Sequence, residues 1–200
     1  MQLVLFRHGP AGSADPARWP DDRARPLTSG GEAKTRRAAR GLAALLLDHG
    51  TTRRVRVWTS PFVRAERTAR LLVEALAGAA AKDAPQVVAA LAPGGSEKAL
   101  LERLAELASE AGSGEVVVVL VGHEPQLGRL AGEFALEANG PLPLKKAGAV
   151  ALSFGGRARR RSGTLDWFVP PRLLRRLAAG LKHAQRTKRA KSAPARSEVS

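Results

Sequence analysis

Apolar and polar positions fall in blocks whose period keeps changing. Short unbroken apolar runs give way to apolar residues spaced three and four apart, and the sequence then returns to short runs. Gln2–Phe6 is a compact apolar run and predicts a buried strand. A loop rich in Gly, Pro, Asp and Arg follows, from Gly9 to about Pro26. Thr28 or Ser29 can cap a helix reaching about Asp48, with Leu42, Leu45 and Leu46 on one face and Gly50 just past its end. Val55–Trp58 reads as a second strand. Ser60-Pro61 then opens a helix, with Ser60 at the cap and Pro61 at the first helical position. Leu71, Leu72, Ala75 and Leu76 recur along it at helical spacing.

The same alternation fills the second half. Gln86–Ala90 predicts a short third strand, and Ser96–Ala111 an amphipathic helix with Leu100, Leu101, Leu104 and Leu107 inward. Glu115–Val121 is a β-branched run and the clearest strand of the chain. Pro125–Leu136 reads as a helix. Ala149–Phe154 and Thr164–Val169 read as two more strands, a hairpin around Gly155-Gly156 and the arginine run. No internal repeat occurs. Strands alternating with helices predict an α/β fold, a three-layer α/β/α sandwich on a mostly parallel mixed sheet.

Composition narrows the classes. An apolar share of 44% over 200 residues is enough for a real core. The absence of cysteine excludes disulfide scaffolds, thiolate metal sites and cysteine nucleophiles, and fits a cytoplasmic location. No apolar stretch is long enough to span a bilayer. Met1–Phe6 is too short for a signal peptide, so the N-terminus is expected to be mature. The net charge of +15 is uneven: residues 157–200 hold 13 Lys/Arg against 2 Asp/Glu, and residues 1–156 hold 20 against 16. Most of the excess therefore belongs to the C-terminal part. The expected organisation is a catalytic domain over 1–169, a basic amphipathic helix over 170–185 and a disordered basic tail over 186–200.

Unusual polar residues cluster where strands end. Arg7-His8-Gly9 follows the first strand, Thr59 to Arg64 follows the second, and Gly122-His123-Glu124-Pro125 follows the valine strand. In an open parallel sheet, ligands bind beyond the carboxyl ends of strands. Helix starts there favour anions. A neutral imidazole such as His8 can attack phosphorus and become a phosphohistidine. Arginine stays charged and binds two phosphate oxygens through one planar fork. Gly9 lets backbone approach the phosphate. Taken singly, each cluster is better read as a surface turn or a solvated helix residue; three together at matching strand ends point to one phosphate site.

The chain resembles the histidine phosphatase superfamily, which includes the phosphoglycerate mutases. Arg7-His8-Gly9, Ser60-Pro61-x-x-Arg64-Ala65-x-x-Thr68 and Gly122-His123 match its motifs in order. Within it, the SixA-type phosphohistidine phosphatases are most similar, on Arg25-Pro26-Leu27-Thr28-x-x-Gly31, the short length and Gly-His-Glu-Pro. The resemblance covers about residues 1–170. It implies a phosphoglycerate mutase-like fold, His8 as nucleophile, Arg7 and Arg64 as phosphate ligands, and His123 as ligand and proton donor. With no metal-ligand spacing such as HExxH in the sequence, no metal and no cofactor are expected. The expected substrate is phosphohistidine in a protein, in a signalling setting. Many superfamily members carry a carboxylate after the third strand; here Val88–Gly95 has none. A phosphoester leaving group needs a proton badly, so the gap favours phosphohistidine, with Glu97 or Glu124 as substitute acids.

Other classes stay in view. The same site could serve small phosphorylated metabolites, with specificity in loops 10–26, 91–96 and 139–147. A non-catalytic phosphate- or nucleic-acid-binding module would use the basic end, where Leu173, Leu174, Leu177 and Leu181 share a face and Arg172, Arg175, Arg176 and Lys182 lie elsewhere. The plainer expectation is a helix packed on the domain with a solvated tail. Arg25 is as readily a loop residue as a ligand, His49 is expected to bond a helix end, and His183 has no assigned role. Trp19, Trp58 and Trp167 are too scattered for a stacking stripe. No HExxH or GxxxxGK[ST] occurs.

Overall fold

A computed structural model describes residues 1–47, 54–76, 83–110, 116–135 and 140–180. The expectations for His49, Gly50, Leu181, Lys182, His183 and the 186–200 tail lie outside them. Among the described residues, six strands form one sheet: β1 (Gln2–Arg7), β2 (Arg54–Thr59), β3 (Gln86–Val87), β4 (Val116–Gly122), β5 (Ala149–Ser153) and β6 (Thr164–Val169). Their order is β3-β2-β4-β1-β5-β6. Neighbours from β3 to β1 pair in parallel, while β5 pairs antiparallel with both β1 and β6. Only β5 therefore runs against the rest, and the sheet is mixed and mostly parallel, as predicted.

Alternate side chains of each strand enter opposite cores because strand side chains alternate faces. Val4, Phe6, Val55, Val57, Val117, Val119 and Val121 pack against α1 (Ser29–Leu47) and α2 (Val63–Leu76). Leu3, Leu5, Val118 and Leu120 pack against α3 (Glu97–Glu110) and α4 (Gln126–Ala135). β4 is buried on both faces along its whole length, which is why its sequence reads as an unbroken apolar run. Helices therefore cover both faces, giving the α/β/α sandwich.

Most helix starts follow local capping chemistry. Thr28 accepts the Gly31 N–H at 2.9 Å and caps α1. Ser96 accepts the Ala99 N–H at 3.2 Å and caps α3. α2 differs from expectation: it begins at Val63, and Pro61 and Phe62 lie in a bend before it. Ser60 accepts the Phe62 N–H at 3.3 Å, but its hydroxyl is shared with a side chain from another strand end, described below. The third strand is also shorter than predicted. Only Gln86–Val87 pair with β2, and Ala89–Leu91 wind into a 3-10 turn that buries Leu91. Residues 171–180 form α5. It packs through Leu174 and Ala178, while Leu173 and Leu177 stay exposed, so the predicted leucine face is rotated by one position. A methyl at Gly41 of α1 would run into the Leu174 carbonyl, so the two helices touch backbone to backbone. Among the described residues, no helix is long and apolar enough to cross a membrane.

Candidate active site

The sheet register brings the three polar clusters together. Arg7 pairs with Gly122 and Thr59 with Val121. His8, His123 and Ser60 therefore leave β1, β4 and β2 side by side at one edge. Backbone bonds extend the pairing one step past the strands, from His8 N to Gly122 O (3.0 Å) and from Ser60 N to Val121 O (3.0 Å). The His8 and His123 rings lie 4.9 Å apart. Phe62 packs edge-on against His123 at 5.0 Å, and the Arg64 guanidinium stacks on Phe62 at 4.8 Å. His8, Arg64 and His123 are all nearly buried.

Hydrogen bonds fix the imidazoles. His8 Nδ1 lies 2.7 Å from the Gly9 carbonyl. A carbonyl only accepts, so Nδ1 carries the proton and Nε2 keeps a free lone pair. The Gly9 N–H donates to Thr68 Oγ1 at 3.0 Å, and that hydroxyl donates to Arg64 O at 2.7 Å. One buried threonine thus ties the loop after β1 to the arginine of α2. A methyl at Gly9 would collide with Thr35 Oγ1, so this position is closed to any larger residue. His123 Nε2 meets Ser60 Oγ at 2.9 Å.

Burial, with His123 and the two arginines close by, holds His8 down at about 3. Burial, then Arg64, holds His123 at about 4. Both imidazoles are neutral near pH 7. Burial lowers Arg7 and Arg64 as well, although Glu124 favours the charge on Arg7 and Asp22 that on Arg64.

The guanidiniums are only partly satisfied. Arg7 donates one terminal N–H to Leu144 O at 2.7 Å. Arg64 donates to Asp22 O at 2.7 Å and to Asp22 Oδ2 at 2.8 Å. Among the described residues, the buried Nε of each arginine has no partner. An orphaned buried donor costs about 1–3 kcal/mol, so each guanidinium keeps hydrogen-bonding capacity that an anion could use. Asp22 also accepts from Arg25 Nε at 2.6 Å, and Arg25 reaches Gly12 O at 2.6 Å. Asp22 lies 42 residues from Arg64, and no local signal in the sequence picks it out.

The residues expected to hold and attack the phosphoryl group, Arg7, His8, Gly9, Arg64 and His123, stand at this edge. Arg25 is buried and joined to Arg64 through Asp22. Of the two candidate acids, Glu124 is near: its Oε1 accepts the Leu144 N–H at 3.0 Å. Glu97 is elsewhere, paired with Arg160 at 2.9 Å and hydrogen-bonded to Glu133. Trp58 is core, under the Arg103 guanidinium, and Trp167 packs on the other face's core. Trp19 lies beside Arg18 on the 10–26 loop. Among the described residues, no three His, Asp or Glu side chains are grouped so as to hold a metal ion.

No family model matches the chain. An uncharacterised protein of Picosynechococcus sp. (strain PCC 7002) is 41% identical over 156 residues, 78% of this chain and 86% of that protein. The solved structure of the protein histidine phosphatase SixA with tungstate is similar over 87% of this chain and 99% of its own, at 27% identity and a TM-score of 0.67. A candidate SixA phosphohistidine phosphatase from Nakamurella multipartitia is similar over 84% and 94%, at 26% identity and a TM-score of 0.56.

Proposed function

Because the chain belongs to the histidine phosphatase superfamily, we propose that it removes the phosphoryl group from phosphohistidine in a partner protein by way of a covalent phosphohistidine on His8. The observation that carries this is the meeting of a neutral His8, with Nε2 free, and two arginines whose buried Nε donors lack a partner among the described residues. A pocket of this kind recognises a phosphoryl group and holds a nucleophile against it.

The chemistry follows from the tautomer. His8 Nε2 attacks phosphorus in line as the bond to the substrate's imidazole nitrogen breaks. The departing nitrogen keeps the bonding pair and takes a proton from solvent. Arg7 and Arg64 carry the charge on the phosphoryl oxygens, and His123 adds a hydrogen bond. Water then attacks phosphorus and His8 leaves. The Gly9 carbonyl holds a proton on Nδ1 throughout, so His8 departs as neutral imidazole rather than as an anion.

The leaving group favours phosphohistidine over a phosphoester. No carboxylate lies in the segment after β3, Glu97 is tied up elsewhere, and the Asp22 carboxyl is held below its ordinary range, first by Arg25. A leaving imidazole tolerates that lack of a strong acid better than an alkoxide does. SixA in the similar solved structures carries the name of the same activity. A cytoplasmic setting and a role in signalling go with this reading.

The test is acid-labile phosphate trapping on the parent and on His8→Ala, with a chemically phosphorylated histidine protein and with p-nitrophenyl phosphate. The parent should label and the variant should not, and the phosphohistidine protein should turn over far faster. Equal labelling removes His8 from the mechanism. Comparable turnover of both substrates removes the phosphohistidine preference and leaves a phosphatase of small phosphorylated molecules.

A further inference from the structure

The segment before β5 carries Lys146, which has no carboxylate partner among the described residues. Its backbone is stapled to the catalytic edge. Leu144 O accepts from Arg7, the Ala147 N–H faces both the Arg7 and His8 carbonyls at 3.1 Å, and Arg7 N donates to Gly148 O at 3.1 Å. Gly148 N closes the turn on Lys145 O at 2.7 Å. Ala147 takes φ of 60°, in the left-handed region that residues with a Cβ avoid. Such strain at about 1–3 kcal/mol persists where the surroundings enforce it, and it gathers at binding sites. The turn fixes Lys146 between the residue that holds the Arg7 guanidinium and the residue that holds the His8 carbonyl.

We infer that Lys146 is a fourth cation for the bound phosphoryl group, which sets this pocket to take dianions. The inference rests on the phosphatase reading and sharpens its substrate class. Lys146 is exposed, and no carboxylate pairs with it among the described residues. Partial burial first, then Arg7, Arg25 and Arg64 from three separate segments, lower its ammonium. Arg7, Arg25, Arg64 and Lys146 stand here against Asp22, which pairs with Arg25 and Arg64, and Glu124, which accepts from Leu144 N, beside two neutral histidines. The surplus is two positive charges, the complement of a terminal phosphoryl dianion and too many for a diester monoanion. Without Lys146 the surplus falls to one.

The probes are inorganic phosphate at pH 8, where it is mainly dianionic, and perchlorate, a tetrahedral monoanion. Calorimetry gives Kd for the parent, Lys146→Met, Lys146→Arg, Lys146→Glu and Arg64→Ala. Lys146 is exposed, so these lysine variants should fold, and thermal unfolding checks that. Lys146→Met should weaken phosphate about three- to tenfold, the scale of one partly screened charge, and perchlorate by about the square root of that factor. Lys146→Arg should match the parent, and Lys146→Glu should be worse than Lys146→Met. The proposal is overturned by a Lys146→Met affinity for phosphate within twofold of the parent, or by equal losses for both anions. Should Arg64→Ala bind phosphate as well as the parent does, the phosphatase reading falls too. A loss in Arg64→Ala with none in Lys146→Met removes only the lysine.

Discussion

Thr68→Val tests whether one hydroxyl holds the two halves of the site together. Thr68 is wholly buried and links the Gly9 N–H to the Arg64 carbonyl. Valine keeps the shape and removes both bonds, leaving the Gly9 N–H buried and unpaired. An orphaned buried donor costs about 1–3 kcal/mol. For a chain of this size each kcal/mol lowers Tm by about 2–4 °C, so the expected drop is about 2–12 °C. Thr68→Ser keeps the hydroxyl and loses one methyl, worth about 1 kcal/mol. Activity should separate the two variants more sharply. Gly9 is bonded to His8, whose lone pair must face phosphorus, and a 1 Å misplacement of a reacting group can cost about a hundredfold. Thr68→Val should therefore lose about ten- to a hundredfold in the rate of His8 labelling, and Thr68→Ser no more than a few-fold. Thermal unfolding and rapid-quench labelling measure the two effects. Equal behaviour of valine and serine would refute the reasoning, and core packing alone would then hold His8 in place.

Two further outcomes follow from the electrostatics. His8 and His123 sit at about 3 and about 4, below the ordinary imidazole value, so the unfolded chain binds more protons between roughly pH 6.5 and those values. Their contribution to stability is intact above about pH 6.5 and is lost as pH falls through that window, and urea titrations at pH 7 and pH 5 should show the decline. The nucleophile stays neutral throughout, so any acid limb of kcat/KM near pH 6 should move with the phosphoryl pKa of the substrate. A limb fixed at one pH across substrates would contradict the burial of His8. Asp22→Asn removes the internal carboxylate from the Arg64 fork and should tighten inorganic phosphate about two- to fivefold, the worth of a partly exposed ion pair. Weaker binding would instead make Asp22 a brace for Arg64.

The sequence carried the frame of the site because three clusters followed three strands whose order in the sheet hardly matters to their meeting. β1, β4 and β2 are adjacent and parallel, so their carboxyl ends coincide wherever the remaining strands lie. Errors arose where tertiary contacts overrode local chemistry. Ser60-Pro61 has the form of a helix start, yet its hydroxyl meets His123 and the helix waits until Val63. Val88-Ala89-Ala90 is apolar enough for a strand, yet the chain must turn there to bury Leu91. α5 has leucines on two faces, and the close approach of Gly41 selects the one with Leu174.

Residues with neither a motif nor a period were out of reach. Asp22 acquires meaning only opposite Arg64, and Lys146 only because Ala147 is forced left-handed against the carbonyls of Arg7 and His8. Both are charged groups on loops, and their importance is electrostatic. It depends on distances across the fold rather than on neighbours in the chain. The division is physical: the nucleophile and its arginines sit on strand ends that the hydrophobic pattern locates, whereas the charge balance that selects a substrate sits on loops whose positions only the folded chain determines.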